Sequence, residues 1–342
     1  MVEDSPTPPL SEESNAGATG WRLLTDHPIT QLPWWGERLR VLPSPGHGTV
    51  ASLRIAVRAL WEVRRFDGFI SANVRTSLVV GLMKRLLGRR RPALVLTELR
   101  LDDARPDMAW RAKRALQRVG YGAADAFCVS SRREARLYAE RLRLPLERFH
   151  FVPWHTNVLE PAFHPPTGAA FLAAGRTGRD WVTLAAAAEG LPVPITVICA
   201  AADAARVHFP ANVTVHTDVP YATYRELLLG AAGVIVPLEE HQYSSGQVVV
   251  LEAMALGKAV IAPRVLGTED YIDDGVDGLL VPAGDAAALR GAIARLSRDP
   301  ALAERLGRAG LAKIGRQHTL EAYARRIVDV TGAACAAAAR RA

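Results

Sequence analysis

The feature that most constrains this chain is an alternation of short apolar runs with amphipathic stretches. It occurs twice over and is broken once by prolines. Apolar runs at 22–25, 39–42, 68–71, 94–97, 126–130 and 149–152 read as strands, and the stretches at 50–65, 77–87, 107–119 and 132–142 between them read as helices. Strictly alternating strands and helices predict a parallel sheet covered on both faces, because parallel neighbours need a crossover and a helix supplies it. The segment PAFHPPTG at 161–168 places three prolines in eight residues and reads as a linker. The alternation then restarts, with strands expected at 170–174, 195–200, 213–216, 234–237, 260–263 and 279–281, and helices at 181–189, 223–232, 248–256, 285–298, 301–315 and 320–330. The reading is α/β: two Rossmann-like, doubly wound domains facing each other across a cleft. A first domain is expected over 21–165, a second over 166–318, and a C-terminal helix and tail over 319–342 that packs back toward the first domain. Ligands of such sheets bind outside the carboxyl ends of the strands.

A length of 342 residues fits about two domains. No uncharged apolar run approaches the ~18 residues of a membrane helix; the run at 78–82 is soon broken by Lys84 and Arg85. Residues 1–20 hold four acids, no Lys or Arg and no apolar core, so a disordered tail is expected there rather than a secretory signal. Cys128, Cys199 and Cys335 are too widely spaced for a disulfide framework or a metal cluster and read as reduced, largely buried thiols of a cytoplasmic protein. Charge is distributed unevenly. Residues 21–165 carry 25 Lys/Arg against 13 Asp/Glu, whereas residues 166–342 carry 17 against 18. A basic first half implies an anionic partner. The stretches MKRLLGRRR at 83–91 and RAKRALQR at 111–118 set cations beside Leu, Val and Trp110, which suits peripheral contact with an anionic membrane as well as it suits a solvated helix face. Trp34 and Trp35 serve either an interface or packing. No nucleic-acid motif accompanies the basic half, and no nucleic-acid partner is expected.

The chemistry concentrates at 234–283. A buried strand ends in a polar loop, and Ser244, Ser245, Gly246 and Gln247 open an apolar helix. Serine is a good N-cap, glycine admits a ligand close to the backbone, and the first helical turn, through Val248, offers free N–H groups to a phosphate. Glu252 follows about one and a half turns later, where a carboxylate can accept both hydroxyls of a ribose diol. His241 lies near this presumed site and His155 near the linker.

This segment resembles the donor-binding region of the family 4 retaining glycosyltransferases of the GT-B fold, within the glycosyltransferase group 1 superfamily. The run Glu252-Ala253-Met254-Ala255-Leu256-Gly257-Lys258-Ala259-Val260-Ile261 matches the family's Glu-Ala-Met-Ala-x-Gly-x-Pro-Val-Ile, with Ala259 where Pro is usual, and DGVDGLLVP at 274–282 continues the likeness. The family pairs two Glu residues with seven between them. The second, which holds the ribose, maps to Glu252. The first, which holds the transferred sugar, falls on Ser244, a variant that implies altered sugar choice, weak activity or loss of transfer. Gly175-Arg176-Thr177-Gly178-Arg179-Asp180 is similar to the family's Gly-Arg followed by Lys, and implies that Arg176 and Arg179 bind the donor diphosphate.

The resemblance therefore implies an enzyme: a retaining, hexosyl-type glycosyltransferase that moves a sugar from a nucleoside diphosphate sugar to a hydroxyl of a glycan, lipid-linked or small-molecule acceptor, with no metal and no other cofactor. Arg176, Arg179 and Glu252 are its candidate catalytic residues. Gly175, Ser244, Ser245, Gly246, Gln247 and Val248 join Glu252 as donor-binding candidates. The first domain matches less closely: Gly46-His47-Gly48 is the nearest counterpart of the family's Gly-rich loop, and Glu98 falls roughly where the family has a His. Arg75, Glu98 and Asp102 are the acceptor candidates. Two alternatives stay open, a non-catalytic nucleotide-sugar-binding protein and a nucleotide-sugar epimerase.

Overall fold

A computed structural model describes residues 20–26, 39–42, 65–101, 103 and 107–341, with a few single positions between 54 and 62. The expected helix at 50–65 lies largely outside these residues. The tail at 1–19, the Trp34 and Trp35 pair, the Gly46 to Gly48 segment and the acceptor candidate Asp102 lie wholly outside them.

The first sheet holds β1 (Leu23–Thr25), β2 (Leu39–Val41), β3 (Gly68–Ser71), β4 (Ala93–Leu96), β5 (Ala126–Val129) and β6 (Phe149–Phe151) in the order β2-β1-β3-β4-β5-β6. Its helices are α1 (Val74–Leu86), α2 (Met108–Tyr121) and α3 (Arg132–Leu142). The second sheet holds β7 (Phe171–Ala174), β8 (Ile195–Cys199), β9 (Val213–Thr217), β10 (Gly233–Ile235), β11 (Val260–Pro263) and β12 (Leu279–Val281) in the order β12-β11-β10-β7-β8-β9. Its helices are α4 (Trp181–Ala188), the short α5 (Ala201–Ala204), α6 (Tyr221–Gly230), α7 (Gln247–Ala255), α8 (Ala286–Arg298) and α9 (Pro300–Gln317); α10 (Leu320–Arg341) ends the chain. Every strand pair in both sheets is parallel.

Period-two alternation divides each sheet's apolar residues between two cores. In the first sheet Leu24, Phe69, Leu94, Leu96 and Phe127 face α1 to α3, while Leu23, Ile70, Val95, Ala126 and Cys128 face the other way. That second face is covered by Tyr323, Ala324, Ile327, Cys335 and Ala338 of α10. The Ala- and Arg-rich end, a helix-prone tail after the helix expected at 320–330, continues that helix to Arg341. Its small side chains let α10 lie close on β3, where a Cβ on Gly68 would stand 2.8 Å from Cys335 Sγ. All three cysteines are free and buried, and burial pushes the Cys128 and Cys335 thiols up to about 12. No described helix is long and apolar enough to cross a membrane.

The order of the second sheet reverses between β7 and β10, each of which leads into a loop at its carboxyl end. This switch point is where an open α/β sheet opens a ligand crevice.

Candidate functional site

The loop after β7 runs through Gly175 to Asp180. Gly175 has φ 144°, and a Cβ there would lie 2.1 Å from the Arg179 guanidinium, so only glycine lets Arg179 fold across the end of the strand. Arg179 Nε donates to Ala174 O at 3.1 Å and Nη1 to Thr177 O at 2.8 Å. Burial lowers the guanidinium's pKa to about 10, partly offset by Tyr224 beside it. Asp180 caps α4 through Thr183 N at 2.9 Å. Arg176 is exposed on the other side of the loop, 3.9 Å from Asp218. The two arginines thus share a loop while facing different partners. Each has found local oxygens, Arg179 two carbonyls and Arg176 a carboxylate.

The loop after β10 lies directly alongside. Glu239 N donates to Gly178 O and Asp180 N to Pro237 O, both at 3.1 Å, which ties the two loops edge to edge. A Cβ on Gly178 would come within 2.8 Å of the His241 ring and 3.3 Å of Ser245 Oγ. The expected serine N-cap is corrected: Gly246, at φ 87°, is the N-cap of α7, and no side chain caps it. Any side chain at that φ would be strained and a Cβ would meet Leu238, so glycine takes the position, and no capping carboxylate or hydroxyl occupies the helix end next to Gln247 and Val248. A helix start without a side-chain acceptor presents its N–H groups and the positive end of its dipole to an anion.

Glu252 projects from α7 and is 3% exposed. Tyr224 Oη donates to Oε2 at 2.8 Å and Tyr221 Oη approaches Oε1 at 3.5 Å, with the Asn157 side chain as a further donor. The carboxylate therefore already accepts hydroxyl groups, the chemistry expected of it toward a diol. Burial raises its pKa above the usual carboxylate range, and the three donors pull against that shift. Burial and the Glu252 charge push both tyrosines up. Tyr224, which donates to Glu252, also lies near Arg179, so the carboxylate and one arginine flank the same phenol.

The first domain closes on this cluster. Asp103 accepts from Gln242 N at 2.8 Å and lies 3.1 Å from His241 Nδ1, while Arg100 stacks 3.8 Å over the Tyr243 ring, which itself stacks on His241. Glu134 accepts from Ser244 N at 2.7 Å. Further along, Asp270 accepts from Ser131 Oγ, Arg132 N and Arg132 Nη1 at 2.8 to 2.9 Å. Tyr271 Oη donates to Ser130 O at 2.8 Å and accepts from Trp154 N at 3.0 Å.

Of the acceptor candidates, Arg75 stands exposed in the first turn of α1, just past β3, and Glu98 stands exposed past β4 with φ 57°. Both lie past the carboxyl ends of first-sheet strands, but the first-domain side chains that meet the 239–246 loop are others, among them Arg100, Asp103 and Glu134. Sequence reasoning passed over these three, and over Asn157, Tyr221 and Tyr224. Only the tyrosines carried a readable signal, two phenols at i and i+3 on one helix face. His155 is engaged in ring contacts with Trp154 and Tyr323 near the crossing of the chain and does not join the site. Among the described residues no group of three His, Cys, Asp or Glu is arranged to hold a metal.

Two parallel six-stranded sheets, with loops from both meeting over the switch point of the second, define the GT-B architecture. Solved structures agree. Sucrose-phosphate synthase of Thermosynechococcus elongatus superposes with a TM-score of 0.67 at 20% identity, covering 84% of this chain and 82% of that one. HepE of Anabaena, in complex with UDP, superposes with a TM-score of 0.62 at 14% identity, covering 84% of each chain. Residues 198–299, within the second sheet and its helices, match the family model described as Glycosyl transferases group 1. Among curated relatives, D-inositol 3-phosphate glycosyltransferase of Saccharomonospora viridis is 38% identical over 98 residues, which make up 29% of this chain and only 21% of that protein.

Proposed function

We propose that this chain is a retaining glycosyltransferase that takes a sugar from a nucleoside diphosphate sugar and passes it to an acceptor hydroxyl. One observation carries the reading: a buried carboxylate, Glu252, accepts hydroxyl hydrogen bonds behind an uncapped helix start, at the switch point of a group 1 glycosyltransferase domain. Glu252 would hold the ribose diol. The amides of Gly246, Gln247 and Val248, with Arg179 and Arg176, would hold the diphosphate.

In the transfer, the bond from the anomeric carbon to the diphosphate oxygen breaks and the nucleoside diphosphate leaves with the electron pair. The acceptor oxygen forms the new bond on the same face, and its proton passes to the departing phosphate. Negative charge grows on the leaving group, where each well-placed donor contributes about 3–4 kcal/mol. Contact between the domains around 239–246 would exclude water and limit hydrolysis. The similarity to HepE, crystallised with UDP, makes UDP the first nucleotide to test.

Arg75, Glu98 and Asp102 remain the proposed acceptor side. The basic face of the first domain supports a lipid-linked or membrane-presented acceptor: Leu86, Leu87, Leu116 and Val119 are exposed on α1, just after it and on α2, among their cations. The test is release of nucleoside diphosphate from UDP-, GDP-, ADP- and dTDP-sugars, run beside co-sedimentation with vesicles of anionic or zwitterionic lipid. Turnover of one donor, with binding to the anionic vesicles alone, is the expected result. Binding of nucleoside diphosphates without any turnover would favour the non-catalytic alternative that Ser244 leaves open.

A further inference from the structure

The loop over the switch point carries an unusual set of buried polar atoms. His241 Nε2, Ser244 Oγ and Gln247 Nε2 are all shut off from solvent without a hydrogen-bond partner, within seven residues of one another. Glu239 Oε2 is 3.3 Å from His241 Nε2 without forming a hydrogen bond. Gly178 and Gly267 form a close roof: a Cβ on the first would be 3.0 Å from His241 Nε2, and on the second 2.9 Å from Gln247 Nε2. Buried polar groups in folded proteins nearly always have partners, so three orphans on one loop point to a ligand rich in hydroxyls.

A carboxylate from the other domain is set against Ser244. Glu134, 3% exposed, accepts from Ser244 N at 2.7 Å, from Tyr138 Oη at 3.0 Å and from Ser130 Oγ at 3.1 Å. Three donors thus fix its two oxygens in place.

We propose that Glu134 supplies, from the first domain, the carboxylate charge that faces the transferred sugar at Ser244, so that the sugar subsite is assembled from both domains. The inference rests on the glycosyltransferase reading above and deepens it. As the bond to the diphosphate breaks, the sugar ring gains positive charge, and a carboxylate already fixed by three hydrogen bonds stabilises that charge without reorganising. The side-chain polar atoms of His241, Ser244 and Gln247 read the ring hydroxyls. Because Glu134 belongs to the first domain, the subsite is complete only when the domains are in contact, which ties bond cleavage to closure.

The experiment uses the full chain and the donor, among UDP-glucose, UDP-N-acetylglucosamine, GDP-mannose, ADP-glucose and dTDP-glucose, that it turns over fastest. Glu134→Gln keeps an oxygen that accepts from Ser244 N and removes only the charge. It is expected to lower kcat about 10- to 100-fold while the Kd for the matching nucleoside diphosphate stays within about twofold. Ser244→Glu alone places a second carboxylate beside the first and is expected to slow turnover. In the Glu134→Gln background the same substitution restores the missing charge and is expected to recover about tenfold of the lost kcat. An unchanged kcat in Glu134→Gln overturns the proposal. So does a fall in nucleotide affinity that accounts for the loss, with no recovery in the double variant, since Glu134 would then only hold the loop. If the native chain turns over none of the donors, the functional reading itself falls and takes this inference with it.

Discussion

Glu252 is held where an ionised carboxylate is costly, and its pH behaviour follows from that. Its folded pKa is raised by burial, so its contribution to stability is fully present below the ordinary carboxylate pKa and is lost as pH rises through the raised value. Near neutral pH, Glu252→Gln should therefore be at least as stable as the native chain in urea titrations, and it should lack the loss of stability that the native chain shows as pH rises through the carboxylate range. The same substitution should weaken nucleoside diphosphate binding. Removing the donor from the 2.8 Å Tyr224–Glu252 pair has the opposite sign: Tyr224→Phe takes away a hydrogen bond to a charged group and should cost about 1.5–3 kcal/mol in the same titration. Glu252 was legible because its whole context lies in one short stretch of chain, from loop to helix to turning glycine. The long-range contacts of the site were not: Tyr224 meets Glu252 across 28 residues, and Glu134 meets Ser244 across 110. Contacts of that range leave no periodic trace, because only the fold brings them together.

At the scale of elements, all twelve described strands fall where short apolar runs bounded by turns predicted them, within about two residues at each end. A fully buried parallel strand reads as an unbroken apolar run, so the signal is strong. Helix ends were less legible, since caps such as Asn73 before α1 and Gly246 before α7 depend on local backbone geometry. α10 was read too short because a run of alanines carries helix propensity but little amphipathic contrast. Packing between elements supplies a contrasted pair of predictions. A Cβ on Gly81 would stand 2.2 Å from Gly120 O, so Gly81→Ala forces α1 and α2 apart and should lower stability by about 1–3 kcal/mol. Gly291 in α8 is exposed with nothing nearby, so Gly291→Ala should raise stability by about 0.5–1 kcal/mol. His318, between α9 and α10, has Nδ1 2.8 Å from Trp154 O, and burial lowers its pKa to about 4. Its stabilising contribution is present above the unfolded value near 6.5 and is lost as pH falls toward 4, about 3 kcal/mol in total. His318→Gln should flatten the stability profile in that acid window.

For the whole molecule, the two-domain plan was legible from the restart of the alternation after the prolines at 161–168, but the way the domains meet was not. Asp270, with Ser131 and Arg132 on its oxygens, and Tyr271, between Ser130 and Trp154, join the domains beside the site. Arg132 is largely exposed, so Asp270→Ala should cost only about 1–2 kcal/mol, but it should increase the radius of gyration in small-angle scattering if these bonds hold the domains closed. The most direct test of the account is calorimetric titration of UDP, GDP, ADP and dTDP into the native chain and Glu252→Ala. The account predicts that at least one binds the native chain and loses about tenfold or more in affinity in the variant. Equal affinity in both proteins, or no binding of any of the four, would contradict it.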